Sequence, residues 1–178
     1  MKLPVPIIIS MILLLSAVSW NSYGQTKAIS TLWSLNGIGL GYEHILEEDS
    51  FIQADLRAEM AEVFMNRKGR AGITASFTWN MIFAGIESGN GNTVSFFAGP
   101  GAVIGIADDY KSDSGGVFGF KGRIGAECTY DRHVSLSFCF APVIGMHLSR
   151  RNETVNMRMY RNGLIYGILP EIGIKYAF

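Results

Sequence analysis

Apolar and polar residues alternate along much of this chain, and this period of two is the feature that most constrains its fold. From Ala71 to Phe83 every odd position is apolar, and the even positions from Gly72 to Asn80 hold polar residues or glycine. Successive side chains of a β-strand point to opposite faces of a sheet, whereas a helix repeats every 3.6 residues. The segment therefore predicts a strand with one apolar face and one polar face.

The same alternation recurs in other long segments, near residues 52–60, 94–106, 118–130, 134–144 and 172–178. The predicted strands run about 11 to 16 residues, against the ~5–6 residues that are typical of globular sheets. A tilted strand needs ~9–11 residues to cross a bilayer. Because the second face carries glycine, serine and charge, it cannot pack against another apolar layer. Strand length thus favours apolar side chains toward lipid and polar side chains toward an interior.

The N-terminus has the layout of a cleaved secretory signal. Lys2 precedes an apolar segment over residues 7–18, and small residues stand at −3 and −1 of a cut after Gly24. This apolar segment is shorter than the ~20 residues that a membrane-spanning helix requires. We therefore expect residues 1–24 to be a Sec-type signal peptide and residues 25–178 to form one exported barrel domain.

The connectors between the predicted strands alternate between short and long. Short turn clusters occur at 47–50, 89–92 and 131–133, and longer polar connectors at 63–68, 107–116 and 150–162. This alternation is typical of outer-membrane barrels, which have short periplasmic turns and longer loops outside the cell.

The strand count follows from the position of the termini. Seven strands begin near Ile38, Ile52, Arg70, Thr93, Val117, Val134 and Gly163. A barrel with both termini on the periplasmic side needs an even number, and the hairpin signal Asn36-Gly37 makes Thr26 to Leu35 the eighth strand. The predicted fold class is all-β, an antiparallel up-and-down transmembrane β-barrel of eight strands. An incomplete first strand is the alternative.

The formal net charge of the chain is zero, which gives no electrostatic reason to expect nucleic acid as a partner. The predicted register turns charges of both signs inward, and these are Arg57, Arg70, Lys121, Arg123 and Lys175 with Glu43, Asp55, Glu59, Glu127 and Glu171. The interior of an eight-stranded barrel is only wide enough for side chains to fill, and buried charges must pair. We therefore expect an ion-pair network that fills the interior and leaves no open pore. A gated conduit for small ions is the alternative.

The last strand carries a recognisable pattern, since Ile172, Ile174, Tyr176 and a terminal Phe178 alternate with other residues. This pattern resembles the C-terminal signal that the barrel assembly machinery reads in bacterial outer-membrane proteins. Over residues 26–178 the chain resembles the small eight-stranded outer-membrane proteins of the OmpA-barrel and OmpX kind. The resemblance implies an outer-membrane location, a monomer with a structural or surface-interaction role, and contact with membrane lipid, lipopolysaccharide and the assembly machinery.

Aromatic residues at outward positions near strand ends predict the two aromatic girdles of a membrane protein. Tyr42, Phe83, Tyr130 and Tyr176 are expected near the periplasmic rim, and Trp33, Phe118 and Tyr160 near the outer rim. In or beside the last predicted loop stand Arg150, Arg151, Arg158 and Arg161, which form either a solvated loop or a contact for lipopolysaccharide phosphates.

His147 and Ser149 resemble the His-x-Ser pair of the lipid A deacylases, which are also eight-stranded barrels. In those enzymes the pair faces the lipid, whereas the parity of this strand turns both residues inward, and Arg150 and Arg151 replace the residues that usually follow. We therefore expect no enzyme, no catalytic residue and no cofactor. A lipid A ester hydrolase is one alternative, and a secreted soluble β-sandwich or lipocalin-like barrel is the other.

Two further groups of residues have side chains suited to covalent or metal chemistry. With a three-residue turn between their strands, Cys128 pairs with Leu136 and Cys139 pairs with Gly125, so the two thiols face opposite sides and no disulfide is expected. In the loop before Gly115 and Gly116, aspartates stand at positions 108, 109 and 113. Their spacing matches no known calcium loop, so no metal site is expected.

Overall fold

The computed structural model of the chain describes residues 26–65, 70–87, 92–109, 114–130, 133–151 and 154–178. The predicted signal peptide and parts of the predicted connectors lie outside these residues. The described part of the chain forms the strands β1 Lys27–Ser34, β2 Gly37–Glu47, β3 Ser50–Glu59, β4 Gly72–Glu87, β5 Thr93–Ala107, β6 Gly115–Tyr130, β7 Val134–Phe140, β8 Val143–Arg151, β9 Thr154–Met159 and β10 Glu171–Ala177, with the helices α1 Ala61–Phe64 and α2 Arg161–Gly167. Neither of these helices is long enough to cross a membrane.

The strands close into a barrel in which every pairing is antiparallel. Strands β1 to β6 pair in chain order, β6 pairs with both β7 and β8, and β10 pairs with β7 and with β1. Strands β7 and β8 occupy one position of the barrel, and β9 and β10 occupy the last one. The predicted up-and-down barrel of eight strand positions is confirmed.

The break between β7 and β8 falls at Ala141 and Pro142, within a segment whose alternation predicts one uninterrupted strand. Proline has no N–H to give to a strand ladder. The Pro142 carbonyl still accepts a hydrogen bond from the Gly122 N–H at 2.9 Å, and the Ala141 N–H reaches the carbonyl of Gly167 in α2 at 2.9 Å. The barrel wall therefore continues through the break, with the helix as part of it.

The prediction for the last strand is wrong over residues 150–170. Where a loop is expected at 150–162, β8 and β9 form a paired hairpin, and Gly163, the expected strand start, lies in α2. The physical reason lies in the neighbouring strand. Strand β10 pairs with β1 as far as Ile172 opposite Trp33, and β1 then ends at Ser34. A helix satisfies its own backbone hydrogen bonds where no neighbouring strand is available.

The first hairpin confirms the eighth strand, with a turn shifted by one residue. Ser34 pairs with Gly37, so the two turn residues are Leu35 and Asn36. Gly37 has a φ of +157°, and a Cβ on it would overlap the carbonyl oxygen of Ala58 on β3. The sequence signal thus identifies the hairpin, and glycine is required because the chain passes close to the next strand.

The predicted faces of the strands are also confirmed. Along β4 the residues from Ile73 to Phe83 at odd positions are exposed on the outside, while Thr74, Thr78 and Asn80 are buried inside. The ladder between β6 and β7 pairs Cys128 with Leu136 and Gly125 with Cys139, as the sequence predicts. Both cysteines are free thiols.

Candidate functional site: the charged barrel interior

The end of the barrel where β2 is followed by β3, β4 by β5 and β6 by β7 is here called the turn end, and the opposite end is called the loop end. Between them the inward side chains are polar, charged and nearly inaccessible. Gln53, Thr78 and Asn80 are completely buried, and Arg123 is 3% exposed. Burial of this kind requires each polar group to find a partner inside the barrel.

Near the turn end, Lys175 of β10 lies between two carboxylates. Its Nζ is 2.9 Å from Glu43 Oε2 on β2 and 2.5 Å from Glu127 Oε1 on β6. The same ammonium lies over the ring of Phe51, 5.6 Å from its centroid. One cation thus connects three separate strands, and an aromatic face covers it.

At mid-barrel, Lys121 and Asp55 form an ion pair that is almost fully buried. Their Nζ and Oδ2 atoms are 2.8 Å apart, and the side chains are 4% and 1% exposed. The lysine also donates to Ser76 Oγ at 2.9 Å, and the other carboxylate oxygen accepts a hydrogen bond from Gln53 Nε2 at 2.5 Å. Both charged groups therefore have further hydrogen bonds, as burial of an ion pair demands.

Two arginines converge on Glu171, the first residue of β10. Arg57 forms an ion pair with Glu171 Oε2, and Arg123 Nη2 lies 3.9 Å from Glu171 Oε1. Arg57 also donates to Ser34 Oγ at 3.1 Å. Arg123 Nε lies 3.4 Å from the thiol of Cys139, and the guanidinium stands over Phe97 at 5.1 Å. Glu171 is thus the shared acceptor of the barrel centre.

These contacts define a group that we call the inner network: Glu43, Asp55, Arg57, Lys121, Arg123, Glu127, Glu171 and Lys175. Two of the ten charged residues that the sequence predicts to face the interior lie outside the inner network. Glu59 is buried near the loop end, where it accepts a hydrogen bond from Thr74 Oγ1 at 2.8 Å. Arg70 precedes β4, which begins only at Gly72, and it is exposed. The expectation that Arg70 is an interior charge is therefore wrong.

Two aromatic rings lie in the barrel interior, although the sequence pattern predicts no interior position for them. Phe51 and Phe97 pack edge to face, with their centroids 5.5 Å apart, and both are buried. The alternation itself carried a signal for Phe97, which stands between Phe96 and Ala98 on the polar side of its strand. An apolar residue at a position where the alternation predicts a polar one indicates a side chain that packs inside the barrel.

The interior has little free space. A cavity beside Arg57, Lys121 and Glu171 has a volume of about 20 Å³, which is room for roughly one water molecule. Glycine makes the close packing possible, because a Cβ on Gly41 would lie 3.0 Å from Asp55 Oδ1 and 3.1 Å from Gln53 Nε2. Small residues on β2 thus provide the room that the charged side chains of β3 occupy.

A second polar group, here called the outer cluster, lies at the loop end and consists of Asn36, Glu59, Glu62, Asp108, Asp109 and Asn162. Asn162, at the start of α2, is its central residue. Its backbone N–H donates to Asp109 Oδ1 at 2.9 Å, and its Nδ2 donates to Glu62 Oε1 at 3.0 Å and to the Asp108 carbonyl at 3.1 Å. The asparagine therefore ties α2 to α1 and to the end of β5.

The His147 and Ser149 side chains are buried and face inward, as the parity of the strand predicts. His147 Nε2 lies 3.0 Å from the carbonyl oxygen of Ala107, and the ring stacks on Tyr160 with the centroids 6.5 Å apart. Tyr160 is 2% exposed, so its expected place in the outer aromatic girdle is wrong. It precedes α2, which turns it into the barrel.

The other aromatic residues of the predicted girdles all point outward, and Trp33, Tyr42, Phe83, Phe118, Tyr130 and Tyr176 are each more than 40% exposed. In the C-terminal pattern, Ile172, Ile174 and Tyr176 are outward residues of β10. Phe178 follows that strand, and its N–H donates to the Lys27 carbonyl at 2.8 Å. The C-terminal residue is thus fixed to the first strand.

The architecture defines a class, that of closed eight-stranded antiparallel barrels with an apolar outer face. No model of a protein family matches the chain, and no curated protein matches it. Among solved structures, the N-terminal β-barrel domain of Pseudomonas aeruginosa OprF is similar, with 12% identity over 88% of this chain and 100% of that one and a TM-score of 0.47. The attachment invasion locus protein Ail of Yersinia pestis, in complex with the heparin analogue sucrose octasulfate, shows 11% identity over 85% of this chain and 94% of that one, with a TM-score of 0.33. At these values the likeness says nothing about what this chain binds.

Proposed function

We propose that the chain is an integral outer-membrane β-barrel protein with a structural or surface-interaction role and no open pore. The observation that carries the proposal is the inverted distribution of side chains. Large apolar residues cover the outside, where Phe120 is 80% exposed, Ile104 67% and Ile73 63%. The charges of the inner network lie inside. Lipid accommodates an apolar outer surface, whereas water would not.

The same distribution speaks against a secreted soluble barrel or sandwich. A monomeric soluble protein seldom exposes a contiguous apolar patch larger than a few hundred Å². Here the exposed apolar positions continue around the barrel, from Leu40 on β2 and Phe77 on β4 to Ile144 on β8 and Ile174 on β10. A β-barrel whose outer residues are apolar on all sides is suited to a membrane.

The filled interior supports a role that does not involve transport. Arg57, Lys121, Arg123 and Lys175 each contact a carboxylate from another strand, so they cross-link the barrel. A cavity of about 20 Å³ beside Arg57 and Lys121 is too small for a hydrated ion to pass. We infer that the network holds the strands in register.

Catalysis is not part of the proposal. Ester hydrolysis of a membrane lipid would require the nucleophile to face the acyl chains, but His147 and Ser149 face inward and are buried. Ring nitrogen Nε2 of His147 contacts a backbone carbonyl of β5, a contact that packs the histidine against the wall of the barrel.

The surface-interaction part of the proposal concerns the hairpin of β8 and β9. Arg150, Arg158 and Arg161 are exposed on or beside it at the loop end, where lipopolysaccharide phosphates would lie. Replacing all three with Gln should reduce retention of lipopolysaccharide on the purified protein, and the loss should be greatest at low salt because exposed charges are screened. Equal retention by the triple variant would argue against this contact.

The location is tested by gel mobility and by membrane extraction. The expressed protein should migrate differently before and after boiling, and it should stay with membranes after a carbonate wash. A protein that is released freely by carbonate would overturn the proposal.

The orientation of the outer face is tested by a charge placed at two depths. Phe120 lies near the middle of β6 and Tyr130 at its end. An arginine costs ~2–4 kcal/mol at the bilayer midplane and ~0–1 kcal/mol near the interface. In urea unfolding from lipid vesicles, Phe120→Arg should therefore be far more destabilising than the matched control Tyr130→Arg. Equal effects would contradict a lipid-facing β6.

A further inference from the structure

Four buried oxygen atoms of the outer cluster accept no hydrogen bond from any residue that the structure describes, and they are Asn36 Oδ1, Glu59 Oε2, Asp108 Oδ1 and Asn162 Oδ1. The four residues line one cavity at the loop end. They come from four separate segments, the first hairpin, the end of β3, the residues after β5 and the start of α2. Buried acceptors in folded proteins are almost always paired, so four around one cavity point to a missing ligand.

The hydrogen bonds of Asn162, Glu59 and Asp108 use other atoms of these side chains and leave three of the four oxygens without a donor among the described residues. Asn162 donates both of its amide hydrogen bonds from Nδ2, to Glu62 and Asp108, which fixes Oδ1 as the free acceptor. Glu59 accepts from Thr74 with Oε1 and keeps Oε2. Asp108 accepts the backbone N–H of Arg70 at 2.5 Å with Oδ2 and keeps Oδ1. Each carboxylate thus uses one oxygen within the protein and leaves the other available.

The cavity has a volume of about 10 Å³, which holds roughly one water molecule or one ion. One water molecule donates only two hydrogen bonds, so it would leave two of the four oxygens unpaired. The charge balance also favours a cation, because Glu59, Glu62 and Asp108 line the cavity and Arg70 is the one cationic side chain beside them among the residues that the structure describes. A single cation takes four or more oxygen ligands and would also offset the negative charge.

We propose that the outer cluster binds one Ca²⁺ through Asn36 Oδ1, Glu59 Oε2, Asp108 Oδ1 and Asn162 Oδ1. Calcium takes carboxylate and amide oxygens in flexible geometry, whereas magnesium demands a near-octahedral shell and retains several waters, for which this cavity has no room. No group of three His, Cys, Asp or Glu side chains among the described residues forms a metal site, so the two amide oxygens are essential. The proposal departs from the expectation of no metal site, which rested on the spacing of the aspartates at 108, 109 and 113.

Binding would have a structural effect at the loop end. One ion would join the β1–β2 turn, the end of β3, the segment after β5 and the start of α2. These are the elements around the place where the last strand is replaced by a helix. The expected result is a loop end that resists unfolding more strongly when calcium is present.

The experiment uses the purified full barrel in detergent micelles after treatment with EDTA. Calorimetric titration with CaCl₂ should show one site, and MgCl₂ at the same concentrations should bind much more weakly. Asp108→Asn and Glu59→Gln should each weaken calcium affinity at least tenfold. The matched control Glu47→Gln, an exposed residue of β2 near the turn end, should leave the affinity unchanged.

A second measurement reports on the position of the ion. Tyr160 lines the same cavity, so bound Tb³⁺ should show tyrosine-sensitised emission that Ca²⁺ displaces and that Tyr160→Phe reduces. If the carboxylate variants do not fold, which loss of the heat-modifiable gel mobility would show, Asn36→Ala tests the same ligand set. Absence of calcium binding by the unaltered protein, or equal affinity in Asn36→Ala, would mean that the cavity holds an ordered water only, and the proposal would be wrong.

Discussion

In the inner network every lysine and arginine contacts at least one carboxylate. In the described part of the chain, the cavity of the outer cluster is lined by three carboxylates and one arginine. The inner network spans regular, continuous strands. The outer cluster lies where a turn, two helices and a loop meet. The difference teaches that regular strand pairing brings opposite charges into fixed register, while the irregular end of the same barrel gathers carboxylate and amide oxygens around one cavity.

The largest expected effect tests the centre of the inner network. Glu171→Gln leaves Arg57 and Arg123 without the carboxylate that they share. Removal of one partner from a buried ion pair costs about 3–5 kcal/mol because the remaining charge is uncompensated. Urea unfolding in micelles should show a loss of this size, whereas Glu47→Gln at an exposed position should be nearly neutral. A loss below about 1 kcal/mol would mean that water already screens the network.

A smaller effect is expected from steric crowding. Gly41→Ala places a methyl group against the Ser30 hydroxyl and the Asp55 carboxylate, and overpacking of this kind typically costs about 1–3 kcal/mol. Gly116, at the loop end of β6, has open space where a Cβ would be added, so Gly116→Ala should change stability by less than about 0.5 kcal/mol. If both variants lose the same free energy of unfolding in this assay, the inferred difference in packing between the two positions is wrong.

The smallest effect is expected in the outer cluster. Asn162→Ala removes two amide hydrogen bonds that tie α2 to Glu62 and Asp108, each worth about 0.5–1.5 kcal/mol. We expect a total loss of about 1–2 kcal/mol and faster tryptic cleavage at the neighbouring Arg161. A loss as large as that of Glu171→Gln would show that the two regions contribute equally to stability.

The regular part of the barrel was predictable because its cause is local. Alternation along β4 identifies which side chains face outward, and the three-residue spacing between β6 and β7 fixes the partner of Cys139 as Gly125. Eight of the ten predicted interior charges meet in the inner network for the same reason, since a period of two leaves no freedom about which face a residue occupies.

The irregular part depends on contacts between distant segments, which no local pattern reveals. The helix α2 occurs where β1 has ended at Ser34 and residues 161–167 have no β1 neighbour, a fact about another part of the chain. Its sequence, beginning Arg-Asn-Gly, has the composition of a loop. Likewise the oxygens of Asn36, Glu59 and Asn162 meet only after the barrel has closed.

The seam that closes the barrel is one of its shorter ladders. Strands β1 and β10 pair only from Ala28 to Trp33, whereas β5 and β6 pair along the whole of Thr93 to Ala107. Amide protons of a short ladder exchange with solvent through smaller local openings than those of a long one. We therefore expect the amides of the seam to exchange deuterium before those of the β5–β6 ladder, so that the barrel opens more readily along the line where its first and last strands meet.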